Sequence, residues 1–427
     1  MRHQKKNNQK KIILFLLIFW VIGTCSLLLL KYFQMNPPTV ILRLVEESRS
    51  FAPLRITPTS YPELKQLKDN TYTYSQLKTY FTKLAQKKGG VYAYEILKKA
   101  DTPANTDLHL LGHAIGEQLY KQQGIQGMEY CTQDFRNACS HSIVVGALLE
   151  YGPTKDIFKK IEEACQKAPG GYGAYNLCYH GLGHGILAYE NFDFTKGVSL
   201  CKKVKKYAMR TAYSECIGGA TMEIIGGGDH DKQTWEKQSK KYLSSINPLE
   251  LCQNKAVERK YFCYMYITPH LFTLAGFNPQ NTHDPITFKK AFTYCDAIPK
   301  TEKYSREACF GGFGKEFVVL AKERDIRNIA EMSDQQVKTV YQWCSLAPHE
   351  EGRRACISIA LNSFLWGGEN EPTAAVKFCS LVIKQKEKDM CFSHLFSVVH
   401  NFIKNPFYQD QVCRLTPSEY KNICKKK

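Results

Sequence analysis

The sequence predicts an all-α protein: an α-solenoid of disulfide-stapled helical hairpin repeats behind one N-terminal transmembrane helix. Three observations predict it. Sixteen of the 17 cysteines fall into eight successive couples. The segment after each second cysteine is an apolar run of helical length, and strand-like alternation between turn pairs is scarce. An uncharged stretch of nineteen residues, Ile12 to Leu30, follows a basic N-terminus.

The N-terminal stretch spans roughly 28 Å as a helix, about one hydrocarbon core. Arg2, Lys5, Lys6, Lys10 and Lys11 precede it without an acid. Positive charge stays on the cytoplasmic side, so residues 1–11 read as a cytoplasmic basic tail and 12–30 as a signal anchor, with the bulk of the chain extracytoplasmic. A cleaved signal peptide would have a shorter apolar region and a small-x-small site. Lys31, Tyr32 and Phe33 follow instead. Cys25 lies inside the apolar run and is the odd cysteine of the 17. No Asn-x-Ser/Thr sequon occurs, which fits a bacterial rather than a eukaryotic secreted chain. Residues 31–72 are rich in proline (37, 38, 53, 58, 62) and read as a stalk.

Of the net charge of +18, six units lie in residues 1–35, leaving about twelve outside the membrane. A basic exterior suits anionic partners such as a cell-envelope polymer or lipid headgroups, and a protein partner is also open. The lysines are scattered rather than gathered in a stripe, and no specific nucleic-acid binding is expected.

The cysteine couples are 131/139, 165/178, 201/216, 252/263, 295/309, 344/356, 379/391 and 413/424. Members of a couple lie 8 to 15 residues apart, and first members follow one another at 34, 36, 51, 43, 49, 35 and 34 residues. A period of that size marks stacked helical hairpins. Sequence alone leaves the connectivity of sixteen cysteines open. Nearest-neighbour pairing is the one that the period explains simply: Cys131 with Cys139, Cys165 with Cys178, Cys201 with Cys216, Cys252 with Cys263, Cys295 with Cys309, Cys344 with Cys356, Cys379 with Cys391 and Cys413 with Cys424. Each staple would tie the end of one hairpin to the start of the next. Zinc is a poor use for these thiols, because no C-x2-C pair exists. The array divides into N-terminal hairpins over 73–225 and further repeats over 226–427, in one elongated body. In kind it resembles the disulfide-stapled, TPR-like Sel1 repeats of secreted bacterial proteins. Their Gly-Ala-rich consensus is not legible here, so the resemblance implies architecture and no function.

Histidine shares the cysteine register. Counting the second cysteine of a couple as zero, His141 and His180 sit at position two and His184 at position six. One hairpin upstream, DLHLLGHAIG aligns with CYHGLGHGIL, with Asp107 in the cysteine's place. His109 and His113 then take positions two and six. Residues four apart share a helix face at about 6 Å. Imidazoles so placed suit zinc, iron or copper, with Glu117, Glu150 and Glu223 as nearby carboxylates. The glutamate that zincins place inside H-E-x-x-H is missing. The same spacing also serves buried structural histidines, and helices packed 8–10 Å apart would hold the outer pairs about 20 Å apart in a flat stack. Glycines 112, 116, 146, 181, 183 and 185 accompany the histidines, for close helix contact or for ligand room. Glu316 repeats the Glu223 position, and Asp229 and Asp231 mark a turn with cation-binding chemistry. His394 and His400 read as packing or surface residues, and the C-terminal half shows no comparable polar register.

Two functions follow as expectations. One is a binding or interaction scaffold at the cell surface, the usual use of a solenoid. The other is a metal-dependent enzyme or metal-binding protein using His109, His113, His141, His180 and His184.

Overall fold

The computed structural model describes residues 61–206, 208–226, 232–278, 284–367, 371–403 and 405–426. The expected signal anchor at 12–30, Cys25, residues 31–60 and the pair Asp229/Asp231 lie outside the described residues. Among the described residues no helix is long and apolar enough to cross a membrane, and there is no strand.

The chain from Pro62 onward forms one compact unit. It begins with α1 (Pro62–Leu67), α2 (Tyr74–Lys88), α3 (Gly90–Lys99), α4 (Leu108–Gln123) and α5 (Asp134–Tyr151). Then follow α6 (Lys155–Gln166), α7 (Gly171–Tyr189), α8 (Phe194–Val204), α9 (Arg210–Gly226), α10 (Lys232–Tyr242) and α11 (Glu250–Gln253). The second half holds α12 (Lys260–Tyr266), α13 (Thr268–Ala275), α14 (Pro285–Thr293), α15 (Lys303–Ala321), α16 (Asp334–Cys344) and α17 (Glu350–Gly367). It closes with α18 (Thr373–Leu381), α19 (Gln385–Phe402), α20 (Pro406–Leu415) and α21 (Lys421–Lys426).

Residues 62–72, assigned to a stalk from their composition, belong to the folded unit. Pro62 opens α1 as a first-turn proline can, Leu67 is fully buried, and Glu63 bonds Lys88 and the Tyr92 hydroxyl of α3. Side-chain caps start many helices. Asp107 accepts from Leu110 N, and Thr73 and Ser333 make capping boxes with Gln76 and Gln336. Asp107 therefore holds the cysteine's place in the register by capping instead of cross-linking.

The helices alternate between two rows. α4, α5, α7, α9, α12 with α13, α15, α17 and α19 form an inner row in which each packs on the next. The shorter helices between them lie outside. Eight disulfides join the two members of each cysteine couple. Each ties an outer helix or the turn after it to the following helix, so every hairpin is stapled to its successor.

The array is not extended. α17 packs back on α5, where Arg136 donates to the Ser363 hydroxyl at 2.9 Å. Asn105 N donates to the Glu323 carbonyl at 2.8 Å, and Arg327 donates to the carbonyls of Ala100 and Leu97 at 2.7 and 3.1 Å. Tyr172 of α7 stacks on Phe402 of α19 at 6.1 Å. Glycines bring the inner row into close contact. A Cβ on Gly183 would lie 2.1 Å from the Cys216 carbonyl oxygen, and one on Gly314 would lie 2.1 Å from that of Cys356. At these glycines successive inner helices meet backbone to backbone. Phe272, Phe288, Phe292, Phe313, Phe317 and Trp343 interlock behind the second half, with Phe292 and Phe313 at 4.4 Å.

Candidate metal centre

The curled inner row encloses a cavity of about 850 Å³. All five register histidines line it. Their rings form one cluster. His109 and His113 are 4.6 Å apart between centroids, His141 is 5.4 Å from each, and it is 5.6 and 5.9 Å from His180 and His184. The flat-stack separation does not occur, because glycine brings the helices together. A Cβ on Gly181 would lie 2.5 Å from the His141 Cα, and one on Gly116 would lie 2.7 Å from the Ser142 Cβ. The inner-row glycines serve close contact rather than ligand room.

An outer contact sets the tautomer of His109. His109 Nδ1 lies 2.7 Å from the Phe135 carbonyl, which only accepts, so Nδ1 carries the proton and Nε2 keeps its lone pair. The Phe135 carbonyl is aimed by an unusual backbone: Phe135, Arg136 and Asn137 have φ of 53°, 54° and 62° at the start of α5. Such conformations cost roughly 1–2 kcal/mol each in non-glycine residues, and the Cys131–Cys139 bridge closes over the segment. The Ser142 hydroxyl lies 3.0 and 3.1 Å from the carbonyls of His113 and Ala138 and 3.3 Å from His113 Nδ1. His113 Nε2 lies 3.1 Å from the lone pair of His109 Nε2, a distance at which a proton on His113 makes a hydrogen bond between the two rings.

His141 sits at the centre, 2% exposed. Both of its ring nitrogens are closed to water and have no hydrogen-bond partner among the described residues. An unsatisfied buried polar group costs about 1–3 kcal/mol. The ligand atoms of His109, His113 and His141 all lie within 4.8 Å of one another, close enough for one metal ion. Among the register histidines, His184 Nδ1 lies 2.8 Å from Glu223 Oε2, the outer carboxylate contact that orients a metal-binding imidazole.

Electrostatics keeps the donors in the binding form. Burial holds His141 and His180 well below the ordinary imidazole value, helped by the neighbouring histidines. Burial also lowers His109, to about 4. These rings are neutral at pH 7. The unfolded chain takes up their protons near 6.5, whereas the metal-free fold resists until lower pH. Stability present above pH 6.5 is therefore lost as the pH falls toward 4. Thermal melts of the chelator-treated chain at pH 7.5 and pH 4.5 check this. The acid loss is expected to shrink in a His109→Gln chain, and an equal loss in both would contradict it.

Of the carboxylates named from sequence, Glu117 and Glu223 line the cavity. Glu150 does not. It is exposed and accepts from the Tyr120 hydroxyl at 2.6 Å. Eleven residues after Cys139, it stands off the inward face of α5, outside the cavity lining. His394 packs against Asn362, with Nε2 at 3.0 Å from Oδ1.

The C-terminal half does carry a polar register. Positions six and seven after the second cysteine are Lys315 and Glu316 in α15 and Asn362 and Ser363 in α17, and all four line the cavity, with Met222 and Glu223 of α9 at the same positions. Burial would raise the Glu316 carboxyl, but Lys315 at 2.5 Å, with Arg136 and Arg324, holds it below the usual carboxylate range. The signal was available, because these residues occupy the register that aligned the histidines. Their types differ from repeat to repeat, and that hid it. Glu215 and Arg136 lie outside the register altogether and reach the cavity from the helix starts.

Comparison with protein-family models, with curated proteins and with solved structures finds no match to this chain.

Proposed function

We propose that the chain is a transition-metal protein, holding zinc, iron or copper at His109, His113 and His141 and acting on a small molecule admitted to the cavity. One observation carries this reading: three imidazole ligand atoms lie within 4.8 Å of one another, and those of His141 are closed to water without a hydrogen-bond partner among the described residues. Bare ions fit where water does not, at about 2.0 Å from nitrogen. Three imidazoles leave the fourth position of a tetrahedral ion open, as catalytic sites do and structural sites do not. His109 and His113 are the less buried members, so that position opens on the cavity. The ion would supply Lewis-acid or metal-bound-water chemistry there.

A binding scaffold for a protein or an anionic envelope polymer draws its support from the basic net charge. The inward turn of the polar register favours the metal reading over it. Stapled hairpins in sequence, each packed on the next, support a solenoid curled tightly about its axis. Eight disulfides favour an oxidising compartment. With the apolar run at 12–30 behind basic residues, they support a single-pass membrane protein with this unit outside the cytoplasm.

The test is metal analysis of the full chain produced in an oxidising compartment. Wild type is expected to retain at least one transition-metal ion through gel filtration. A His109→Ala, His113→Ala chain with all eight disulfides is expected to lose the ion at this triad. A wild-type chain without retained metal, unchanged after zinc loading, would overturn the reading.

A further inference from the structure

The triad does not account for the other charges of the cavity. Three cationic side chains line it: Arg136, Lys315 and Arg324. Two have carboxylate partners. Lys315 pairs with Glu316 at 2.5 Å, and Arg324 with Asp107 at 3.5 Å. Arg136 has no ion pair among the described residues. A guanidinium carries five N–H donors. Here Nη2 donates to the Ser363 hydroxyl at 2.9 Å, and Nε is closed to water without a partner. Burial pushes this group below the ordinary arginine value, with Glu316 and Asp107 acting on it only from a distance. Other acids nearby do not supply the charge. Glu223 is taken by His184 at 2.8 Å, and burial raises Glu215 to about 8, so it keeps its proton at pH 7. A charge out of water without a counter-charge is costly.

The backbone that presents Arg136 is the strained segment beside the triad. Arg136 has φ of 54°, between Phe135 and Asn137 at 53° and 62°. Phe135 holds His109 Nδ1 through its carbonyl, and the next residue brings the guanidinium into the cavity. Such strain collects at ligand sites. Burial lowers the His109 ring first, and the Arg136 charge is close enough to add to that effect. A metal ion on the triad would place a second positive charge near the first, and an anion reaching both relieves their repulsion. Phe262, Tyr266, Phe272 and Phe277 also border the cavity, whose volume of about 850 Å³ suits a small organic ligand.

We infer that the metal site takes a small organic anion, a carboxylate or phosphate monoester on an apolar body, with its oxyanion on the Arg136 guanidinium and its body against these rings. The inference rests on the reading of His109, His113 and His141 as a metal centre and names the substrate class of that site. Arginine binds either oxyanion through paired N–H donors.

Three probes test it by isothermal titration: benzoate, phenyl phosphate and the neutral benzamide. Each is titrated into the full chain, zinc-loaded and chelator-treated, and zinc per chain is counted in the same samples. At least one anion is expected to bind zinc-loaded wild type about tenfold or more tighter than benzamide, and to lose that margin in Arg136→Met. The tighter anion tells a carboxylate substrate from a phosphate ester. No binding by either anion, equal affinity for all three probes, or an unchanged margin in Arg136→Met overturns the inference whatever the zinc count. No retained zinc, with the margin present in the chelator-treated chain and lost in Arg136→Met, overturns the metal centre and leaves the anion site standing. If Arg136→Met fails to fold, wild-type crystals soaked with 4-iodobenzoate or 4-iodophenyl phosphate, whichever parent anion bound more tightly, decide. An iodine peak in the cavity with the oxyanion on Arg136 supports the inference, and an oxyanion bound elsewhere or not at all overturns it.

Discussion

Full reduction of the disulfides is expected to unfold the helical unit at 37 °C, even with every helix sequence intact. Each bridge closes a loop of 8 to 15 residues. In the chain-entropy account such a loop is worth about 2.5–3 kcal/mol. The loops are short and do not overlap, so their contributions add to roughly 20 kcal/mol. Whole domains are stable by only about 5–15 kcal/mol. The outer helices show why the staples are needed. α8, α14 and α18 have 11, 9 and 9 residues, below the length at which isolated helices persist in water. Circular dichroism during heating, with and without a phosphine reductant, checks this. A cooperative helical transition that stays above 37 °C in the reduced chain would contradict it.

Gly219→Ala is expected to be the most damaging glycine-to-alanine change among the described residues. Its Cβ would lie 1.8 Å from the His180 carbonyl oxygen. That neighbour is backbone and cannot swing away, so α7 and α9 must part. Overpacking of this kind costs about 3 kcal/mol or more. The separation also shifts the helix whose Gly181 sits against the His141 backbone, so bound metal should fall with stability. Gly226→Ala, where nothing lies within 4 Å, is the control and should be nearly neutral. Paired melts and zinc counts of the two variants test the point. Equal stability in both would show that the α7–α9 contact yields more easily than its geometry indicates.

The two substitutions share a cause with the site itself. In α7, His180, Gly181, Gly183 and His184 alternate the donor and the absence of a side chain. The glycines set how closely the next helices approach, and the histidines occupy the space that remains. Helix propensity alone would remove every one of these glycines, at a gain of about 1 kcal/mol each. They stand there because the inner row needs backbone contact. The spacing of the histidines was legible because i and i+4 share a face on any helix. Glu150 was misplaced because nearness in sequence is not nearness on the inward face. Glu215 was missed because it precedes the second cysteine of its couple and has no counterpart in the histidine hairpins.

The sequence by itself determined the local structure and its periodic frame: the helices, the cysteine couples, and the face on which each histidine stands. These depend on residues within a few turns of one another, where spacing translates directly into position. Only the tertiary structure decided that five histidines from three hairpins meet around one another, and that Lys315, Glu316, Asn362 and Ser363 close the same cavity from the other half. That outcome depends on how far each hairpin turns from the last. The turn is summed over the whole array. No single repeat encodes that sum, and contacts such as Arg136 with Ser363 appear only when the row has come round.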